Sequence, residues 1–193
     1  MGLRAVPYFF TSLIIGRWLQ MSDIKSDIKE WIQAILIAIV VSMFIRAFLF
    51  ETTLVYGKSM ESTLHDRDRV IINKLVYRFG LPSKGDIVVF KNPDNMEENY
   101  VKRVIALPGD TIEIVDGEVY VNGEVLDEPY INEPTKGDFP KVVVPDGTIF
   151  VMGDNRNHSQ DSRNPSVGFV PIENVIGKAQ LRIWPLDKWT IFE

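Results

Sequence analysis

The amino-acid sequence predicts a mainly β protein, in which an antiparallel β-sheet domain follows one N-terminal transmembrane helix. Three observations support this fold class. One long apolar run lies near the start of the chain, β-branched runs of strand length follow it, and residue pairs typical of tight hairpin turns separate some of those runs. Of the 193 residues, 46% are hydrophobic and 24% are charged, as in a folded protein with one main domain.

The apolar run comprises the 20 residues from Trp31 to Phe50, WIQAILIAIVVSMFIRAFLF. At about 1.5 Å per residue, a helix of this length crosses a hydrocarbon core of about 30 Å. Gln33 and Arg46 lie near its two ends, where polar groups can reach the interface. A buried core helix, which is the alternative, normally carries a polar stripe that this run lacks. The run is therefore predicted to be a transmembrane anchor.

The basic residues beside the run predict its orientation. Lys25 and Lys29 precede it, and basic residues mark the cytoplasmic side of a membrane helix. No small-x-small cleavage site follows it, which favours an anchor over a removed signal peptide. We therefore expect residues 1–30 to be a cytoplasmic and juxtamembrane segment. Residues 31–50 would be a single-pass anchor in the cell membrane, and residues 51–193 an extracytoplasmic domain.

The first 20 residues have two interpretations. The stretch from Ala5 to Ile15 is apolar, but it is only 11 residues long and contains Pro7, so it is too short to span a bilayer. It is either an interfacial segment or part of an extension that precedes a natural start at Met21. The sequence favours neither interpretation over the other.

The chain after Phe50 is predicted to form β-strands. Asp116-Gly117 and Asn122-Gly123 are residue pairs that supply the positive φ angles of hairpin turns. The predicted strands are rich in β-branched and aromatic residues: Val70–Ile72, Asp86–Phe90, Tyr100–Leu107, Thr111–Val115, Glu118–Val121, Gly147–Met152 and Val175–Trp184.

The composition argues against several function classes. Residues 1–50 carry five Lys/Arg against three Asp/Glu, so the remaining 143 residues carry a net charge of −7. The globular part thus lacks the basic face that a nucleic-acid partner requires. The chain has no cysteine, two histidines and no EF-hand type of acidic loop, so we expect no disulfide, no metal site and no cofactor. The sequence gives no indication of oligomeric state.

Three polar segments are candidates for chemistry. The first is the loop GKSMESTL at 57–64, and the second is YVKRV at 100–104, in which Lys102 interrupts an apolar strand pattern. The third is the dense polar run GDNRNHSQDSR at 153–163. Taken alone, the lysine would extend its amine into solvent and the third segment would be a hydrogen-bonded turn.

Together, in this order and behind a membrane anchor, the segments resemble the bacterial type I signal peptidase family over roughly residues 31–185. The match consists of four motifs: Ser-Met-x-x-Thr-Leu at 59–64, Gly-Asp-Ile-Val-Val-Phe at 85–90, Lys-Arg at 102–103 with Leu-Pro-Gly-Asp at 107–110, and Gly-Asp-Asn-Arg at 153–156 with Ser159, Asp161, Ser162 and Arg163.

The resemblance implies a mainly β, membrane-bound serine endopeptidase that removes signal peptides from exported preproteins. Its partners would be those preproteins and the lipid membrane. By the same resemblance, Ser59 is the nucleophile, its backbone N–H forms the oxyanion hole, Lys102 is the base and Ser159 orients the lysine amine. Ion-paired scaffolding would surround them, formed by Arg103, Asp154, Asp161 and Arg163.

This chemistry requires the lysine amine to be neutral. A serine hydroxyl is a weak nucleophile until a base takes its proton, and a lysine is a base only when its amine is neutral. Burial lowers a lysine pKa, and the neighbouring residues Val101, Val104 and Ile105 are apolar enough to provide it.

Two positions depart from the common family pattern. Ser62 stands where the family commonly has proline, so the loop loses one fixed φ angle. Gly57 stands where some members have a serine that contributes a hydroxyl to the oxyanion hole. Glycine is also familiar there, and it leaves the hole to backbone donors.

Other catalytic arrangements fit the sequence less well than a Ser59/Lys102 dyad. His65 and His158 could serve a serine–histidine mechanism, but neither falls on a family catalytic position and no Gly-x-Ser-x-Gly elbow is present. Ser-x-x-Lys occurs at 22–25 and 26–29, both before the anchor. A self-cleaving repressor would need a DNA-binding motif where the anchor lies. The remaining alternative is a membrane-tethered, non-enzymatic β domain that binds an extracytoplasmic partner.

Overall fold

The structure is a computed structural model that describes the backbone of residues 9–192 and the side chains from residue 27 onward, apart from Ala47. The chain divides into two compact units, Met1–Arg46 and Ala47–Glu193.

The described part of the first unit, residues 9–46, is helical. Helix α1 spans Phe9–Phe48, 40 residues, and between Arg17 and Phe48 the chain has neither glycine nor proline to interrupt it. Within it, Asp27–Arg46 is 20 residues long with a mean hydropathy of 1.9, which is enough by length and composition to cross a membrane. Of the short apolar stretch predicted from the sequence, residues 5–8 lie outside the described part of the chain, and the remainder is helical.

Within residues 47–192, the second unit contains twelve strands. They are β1 (Phe50–Leu54), β2 (Arg69–Asn73), β3 (Ile87–Lys91), β4 (Asn99–Ala106), β5 (Thr111–Val115), β6 (Glu118–Val121), β7 (Glu124–Val125), β8 (Phe139–Val143), β9 (Thr148–Met152), β10 (Val170–Pro171), β11 (Val175–Trp184) and β12 (Thr190–Ile191). Short 3₁₀ turns lie at Arg156–His158, Ile172–Asn174 and Leu186–Lys188.

The strands form two antiparallel sheets. The first has the order β1-β2-β11-β3-β4-β9-β10, with β12 paired to β11, and the second has the order β7-β6-β5-β8. The mainly β, antiparallel fold class predicted from the sequence is confirmed. Since β11 enters between β2 and β3, segments far apart in the chain become neighbours in the first sheet.

Strand β3 explains why the first sheet lies inside the unit. Its run Ile87–Phe90 is continuously apolar and almost completely buried, as expected for a strand covered on both faces. Side chains alternate between the faces, and the contacts follow this period. Ile87 packs with Val55, Met60 and Leu64, while Val88 and Phe90 pack with a second cluster that contains Val104 and Ile149.

The second sheet covers another part of this core. Its buried side chains Ile112, Ile114, Val119 and Val121 pack with Phe150 and Met152 of β9. The two turns expected at Asp116-Gly117 and Asn122-Gly123 are present, and all four residues have positive φ angles of 51°, 87°, 56° and 83° in chain order. These tight turns set the register of β5, β6 and β7.

All seven predicted strands are present, but five others were not predicted. Strands β7, β10 and β12 have only two residues each, too few to show a period. Strand β8 contains Pro140 and lies at a sheet edge. Strand β1 begins at Phe50, a residue assigned from the sequence to the anchor, whereas α1 ends at Phe48.

Gly177 provides a stability test of this packing. It lies in β11 between β2 and β3, and a Cβ added there would come within 2.4 Å of the Asn73 carbonyl oxygen. Because backbone would have to move, we expect Gly177→Ala to lower the free energy of unfolding by about 1–3 kcal/mol. Urea unfolding of the detergent-solubilised chain measures this. Gly80→Ala is the matched control, because Gly80 is exposed and a Cβ there meets its nearest atom at 3.3 Å. Equal midpoints for both variants would contradict the expectation.

Candidate active site

Ser59 lies in a tightly wound loop directly after β1. The amides of Thr63 and Leu64 both donate to the Met60 carbonyl, at 3.0 and 2.8 Å. Met60 and Leu64 are 2% and 0% exposed and pack in the core with Val55. The apolar residues on both sides of the turn therefore fix the backbone that carries the Ser59 hydroxyl.

Lys102 lies in β4, opposite Val88 of β3, and is 4% exposed. Its Nζ is hydrogen-bonded to Ser59 Oγ at 2.8 Å, although the two residues are 43 positions apart in the chain. The amine also donates to the Val101 carbonyl at 3.1 Å and lies 5.0 Å from the centre of the Tyr100 ring. The structure thus brings together the two residues predicted to carry the chemistry.

The surroundings of Lys102 change its protonation. Burial lowers the pKa of the lysine amine from 10.5 to about 8, while the negative charges of Asp161 and Asp154 oppose the shift. Roughly a tenth of the amines are then neutral at pH 7, compared with fewer than about one in a thousand for a solvated lysine. A neutral amine in contact with a serine hydroxyl can accept its proton.

Ser159 lies at the same site, but the hydrogen bond to the lysine expected from the sequence is not formed. Among the described residues, Ser159 Oγ is buried and has no hydrogen-bond partner. It packs against Gly153, where an added Cβ would come within 2.3 Å of Ser159 Oγ and 2.4 Å of the Ser59 carbonyl oxygen. The lysine amine is directed to Ser59 and Val101 instead.

A buried ion pair joins the lysine strand to the loop of Ser59. Arg103 Nε and Nη2 donate to the two carboxylate oxygens of Asp154 at 2.9 and 2.8 Å, and Nη1 donates to the Gly85 carbonyl at 2.8 Å. Thr63 Oγ1 donates to Asp154 at 2.5 Å. The Asp154 side chain has no exposed surface. Three separate chain segments therefore meet at one carboxylate.

A second ion pair shapes the polar segment at 153–163. Arg163 Nε and Nη2 each donate to Asp161 at 2.8 Å, and the Gly153 amide donates to Asp161 at 2.9 Å. Arg163 also donates to the Arg156 carbonyl at 2.6 Å. The four residues predicted to be ion-paired are thus found in two pairs, Arg103 with Asp154 and Asp161 with Arg163.

The backbone near Ser59 leaves a donor available. Within residues 27–192, the Ser59 N–H has no hydrogen-bond acceptor, while the Ser59 carbonyl accepts from the Asn155 amide at 3.0 Å. Gly57 has a φ of +86° and donates its amide to Asp66 at 2.9 Å. A free N–H beside the nucleophile suits the binding of a carbonyl oxygen.

A cleft of about 260 Å³ opens beside the two residues. Its walls are formed by the end of β1 with the following loop, by Asn99–Lys102 of β4, and by His158 and Gln160. Strand β1 lies at the edge of the first sheet, and β9 pairs with β4 only from Arg103 onward. Unpaired strand edges therefore border the cleft.

The two histidines do not take the place of the lysine. In the described part of the chain, the only side-chain nitrogen hydrogen-bonded to Ser59 Oγ is that of Lys102. His65 Nδ1 lies 3.9 Å from Asp68, and His158 is exposed at the cleft. The geometry favours the lysine as the partner of Ser59.

Three further residues of the surroundings were not singled out from the sequence. Arg156 was noted only as part of a motif, yet it is 2% exposed and paired with the Glu128 carboxylate. Tyr130 lies with its ring 3.9 Å from the Arg103 guanidinium carbon. Glu128 and Tyr130 carry no local motif, and only their long-range contacts identify them.

The fold and the site together define a class of protein. A serine hydroxyl hydrogen-bonded to a buried lysine amine, beside an open cleft on an antiparallel β scaffold, is the arrangement of a serine hydrolase that uses lysine as its base.

Comparison with known proteins assigns the chain to one family within this class. The family model described as Signal peptidase, peptidase S26, matches residues 28–184. The chain belongs to this family of serine endopeptidases. It is 44% identical over 174 residues to Signal peptidase I of Bacillus licheniformis, covering 85% of this chain and 92% of the relative. It is 43% identical over 181 residues to Probable signal peptidase I-1 of Synechocystis sp., covering 89% and 91%.

Two further similar proteins also carry the name signal peptidase I. Signal peptidase I S of Bacillus subtilis is 41% identical over 175 residues, covering 85% of this chain and 93% of the relative. The crystal structure of a signal peptidase I from Enterococcus faecalis V583 is 37% identical, with a TM-score of 0.46, and covers 51% of this chain and 97% of its own.

The contacts of Gly153 generate a test of the site. Any side chain there overlaps both the Ser59 carbonyl and the Ser159 hydroxyl, so we expect Gly153→Ala to lower kcat by about 100-fold, the size of loss that misplacing a reacting group by about 1 Å can cause. Cleavage of a fluorogenic signal-peptide substrate in detergent measures the rate. The Gly80→Ala variant should cleave at the wild-type rate. A kcat within threefold of wild type for Gly153→Ala would show that Ser59 and Ser159 need not stay in place.

Proposed function

We propose that this chain is a membrane-bound serine endopeptidase that removes signal peptides from exported preproteins, with Ser59 as nucleophile and Lys102 as general base. The observation that carries the assignment of the two residues is the 2.8 Å contact between Lys102 Nζ and Ser59 Oγ, made by a lysine that is 4% exposed. The names of the relatives, signal peptidase I, support the substrate class.

The proposed first half of the reaction forms an acyl-enzyme. Neutral Lys102 accepts the Ser59 hydroxyl proton while Oγ attacks the carbonyl carbon of the scissile peptide bond. The Ser59 N–H donates to the resulting oxyanion. The lysine ammonium then gives its proton to the leaving nitrogen, the C–N bond breaks, and the mature protein leaves with a free amino group. The signal peptide remains as an ester on Ser59.

The second half reverses these roles with water. Lys102, neutral again, takes a proton from a water molecule, whose oxygen attacks the ester carbonyl carbon. Collapse of the second tetrahedral intermediate breaks the C–Oγ bond, and Ser59 regains a proton from Lys102. Ser159 and the two ion pairs are proposed to hold these groups in place.

Substrate binding is proposed to occur by strand addition. An extended peptide can pair its backbone with an unpaired strand edge while alternate side chains enter pockets. The edges of β1 and β4 beside the cleft suit this mode. In the bound substrate, the first and third residues before the scissile bond would then direct their side chains toward Ser59. We propose that these two substrate residues must be small.

The proposed location is the cell membrane. Residues 31–50, which lie in helix α1 as far as Phe48, are the proposed single-pass anchor, with residues 1–30 in the cytoplasm and the catalytic unit on the extracytoplasmic side, where exported preproteins arrive. Lys25 and Lys29 before the apolar segment support this orientation. The non-enzymatic alternative finds no support among the relatives, which are named as peptidases.

Removal of either proposed catalytic residue tests the dyad. We expect Ser59→Ala and Lys102→Met each to lower kcat by at least about 1,000-fold, and the double variant to be no slower than either, because groups that act as a unit are not additive. Preprotein cleavage in detergent is the measurement. Lys91→Met is the matched control, since Lys91 is an exposed strand lysine. Substantial cleavage by Ser59→Ala would exclude the serine mechanism.

The lowered pKa of Lys102 predicts how kcat/KM depends on pH. Below pH 8 the amine is mostly protonated and cannot accept the serine proton, so kcat/KM should fall about tenfold per pH unit. The rate should be half-maximal near pH 8 and level above it. His65→Ala and His158→Ala should keep the same midpoint. A midpoint near 6.5 that disappears in one histidine variant would assign the base to that histidine.

A further inference from the structure

The connection between β7 and β8 contacts the segments that carry the proposed catalytic residues. This segment, Leu126–Lys136, is called the strap below. It contacts all three of the chain segments that form the site: the Ser59 loop, the strand of Lys102 and the polar segment at 153–163. None of the four family motifs includes any of its residues.

The strap contacts the Ser59 loop through Ser62. The Ser62 hydroxyl donates to the Tyr130 carbonyl, and Ser62 has a φ of +98°. Proline cannot adopt this φ and has no hydroxyl. One of the two residues at which this chain departs from the common family pattern, Ser62, therefore links the nucleophile loop to the strap.

Tyr130 covers the ion pair that holds the site together. Its ring lies 3.9 Å from the Arg103 guanidinium carbon, and the same guanidinium binds Asp154 through two hydrogen bonds. A cation over an aromatic face is attracted to it, more strongly where water is excluded. Because Arg103 directly follows Lys102 in β4, the ring also restrains the strand that carries the base.

The strap is itself anchored at a second arginine. Arg156 Nη1 donates to Glu128 at 2.7 Å and to Thr135 Oγ1 at 3.3 Å. The Tyr130 hydroxyl donates to Glu128 at 3.1 Å, and burial together with the Glu128 charge raises the pKa of that phenol, so it remains a donor. The Lys136 amide donates to Asn157 at 2.8 Å. Both ends of the strap are thus fixed to the polar segment.

We propose that Tyr130 is a positioning residue for the cleavage reaction, which keeps Ser59 and Lys102 in contact by covering the Arg103–Asp154 pair and by receiving the Ser62 hydroxyl at its carbonyl. Asp154 binds Thr63, four residues after Ser59, so a shift of the Arg103 guanidinium is transmitted to the nucleophile loop. Loss of the ring admits water to the pair and loosens both partners of the dyad. The inference rests on the proposed function and adds a residue to it.

The test uses the full chain in detergent with one signal-peptide substrate. We expect Tyr130→Leu to lower kcat at least about tenfold while KM stays within about threefold, because misplacement of the reacting groups affects the chemical step rather than binding. Tyr130→Phe and Tyr130→Trp restore a ring over Arg103 and should recover most of kcat. Ser62→Ala should lower kcat about threefold or more by releasing the loop from the strap.

Tyr120 offers a matched control. Its hydroxyl also donates to the glutamate two residues earlier, Glu118, at 3.0 Å, but it lies in β6 and lines no part of the cleft. Tyr120→Leu should keep the wild-type kcat. A Tyr130→Leu variant with wild-type kcat, a change confined to KM, or an equal loss in Tyr120→Leu would each overturn the proposal.

The outcomes separate this proposal from the assignment of the dyad. If Tyr130→Leu does not fold, Ser62→Ala decides: a lower kcat at unchanged KM supports the positioning role, and the wild-type kcat overturns it. Ser59→Ala is measured in the same assay. Cleavage that requires Ser59 but is unaffected by the strap variants would reject the strap alone, whereas cleavage without Ser59 would reject the proposed function.

Discussion

The buried Arg103–Asp154 ion pair is the interaction on which the arrangement of the site depends. Arg103 follows Lys102 in β4, and Asp154 follows the end of β9 and binds Thr63 of the Ser59 loop. The pair therefore connects the strand of the base, the loop of the nucleophile and the polar segment at 153–163. A buried pair of this kind contributes little net stability, but removal of one partner leaves an uncompensated charge in the interior.

The second constraint is the burial of Lys102. The net lowering of the Lys102 pKa from 10.5 to about 8 means that burial, partly offset by the nearby carboxylates, costs the folded chain about 3 kcal/mol at pH values below 8, where the amine is protonated in both the folded and the unfolded state. This cost decreases as the pH rises from 8 and disappears above 10.5. The same burial produces the neutral amine that the proposed chemistry needs. The site therefore uses a locally destabilising group, and the apolar strands β3 and β4 and the core around Met60 and Leu64 supply the compensating packing.

The strand order of the first sheet places the Ser59 loop directly after an edge strand, β1. Because β11 inserts between β2 and β3, the edge strand β1 and the Ser59 loop are held on a scaffold built from the far end of the chain. Arg182 of β11 reinforces the arrangement, since it donates to the Thr63 carbonyl and to Asp68. The strap then joins the Ser59 loop to the polar segment at 153–163 through its contacts with Ser62 and Arg156. Rigid central strands with loops tied by side-chain contacts are suited to holding reacting groups in place.

The sequence by itself determined the elements and the residue types. The apolar run, seven of the twelve strands and two hairpin turns follow from local hydrophobic period and positive-φ residues, which act within a few positions of the chain. The motifs predicted Ser59, Lys102 and the four ion-paired residues.

Only the tertiary structure decided which side chains meet. By itself, the local pattern around Lys102 favoured an amine in solvent, whereas packing buries it against Ser59. Ser159 faces Gly153 rather than bonding the lysine, and Glu128 and Tyr130 join the site without any local signal. The physical reason is that periodicity reports which face of an element is apolar, while burial, pKa and ion pairing depend on segments tens of residues apart that only the folded sheet brings together.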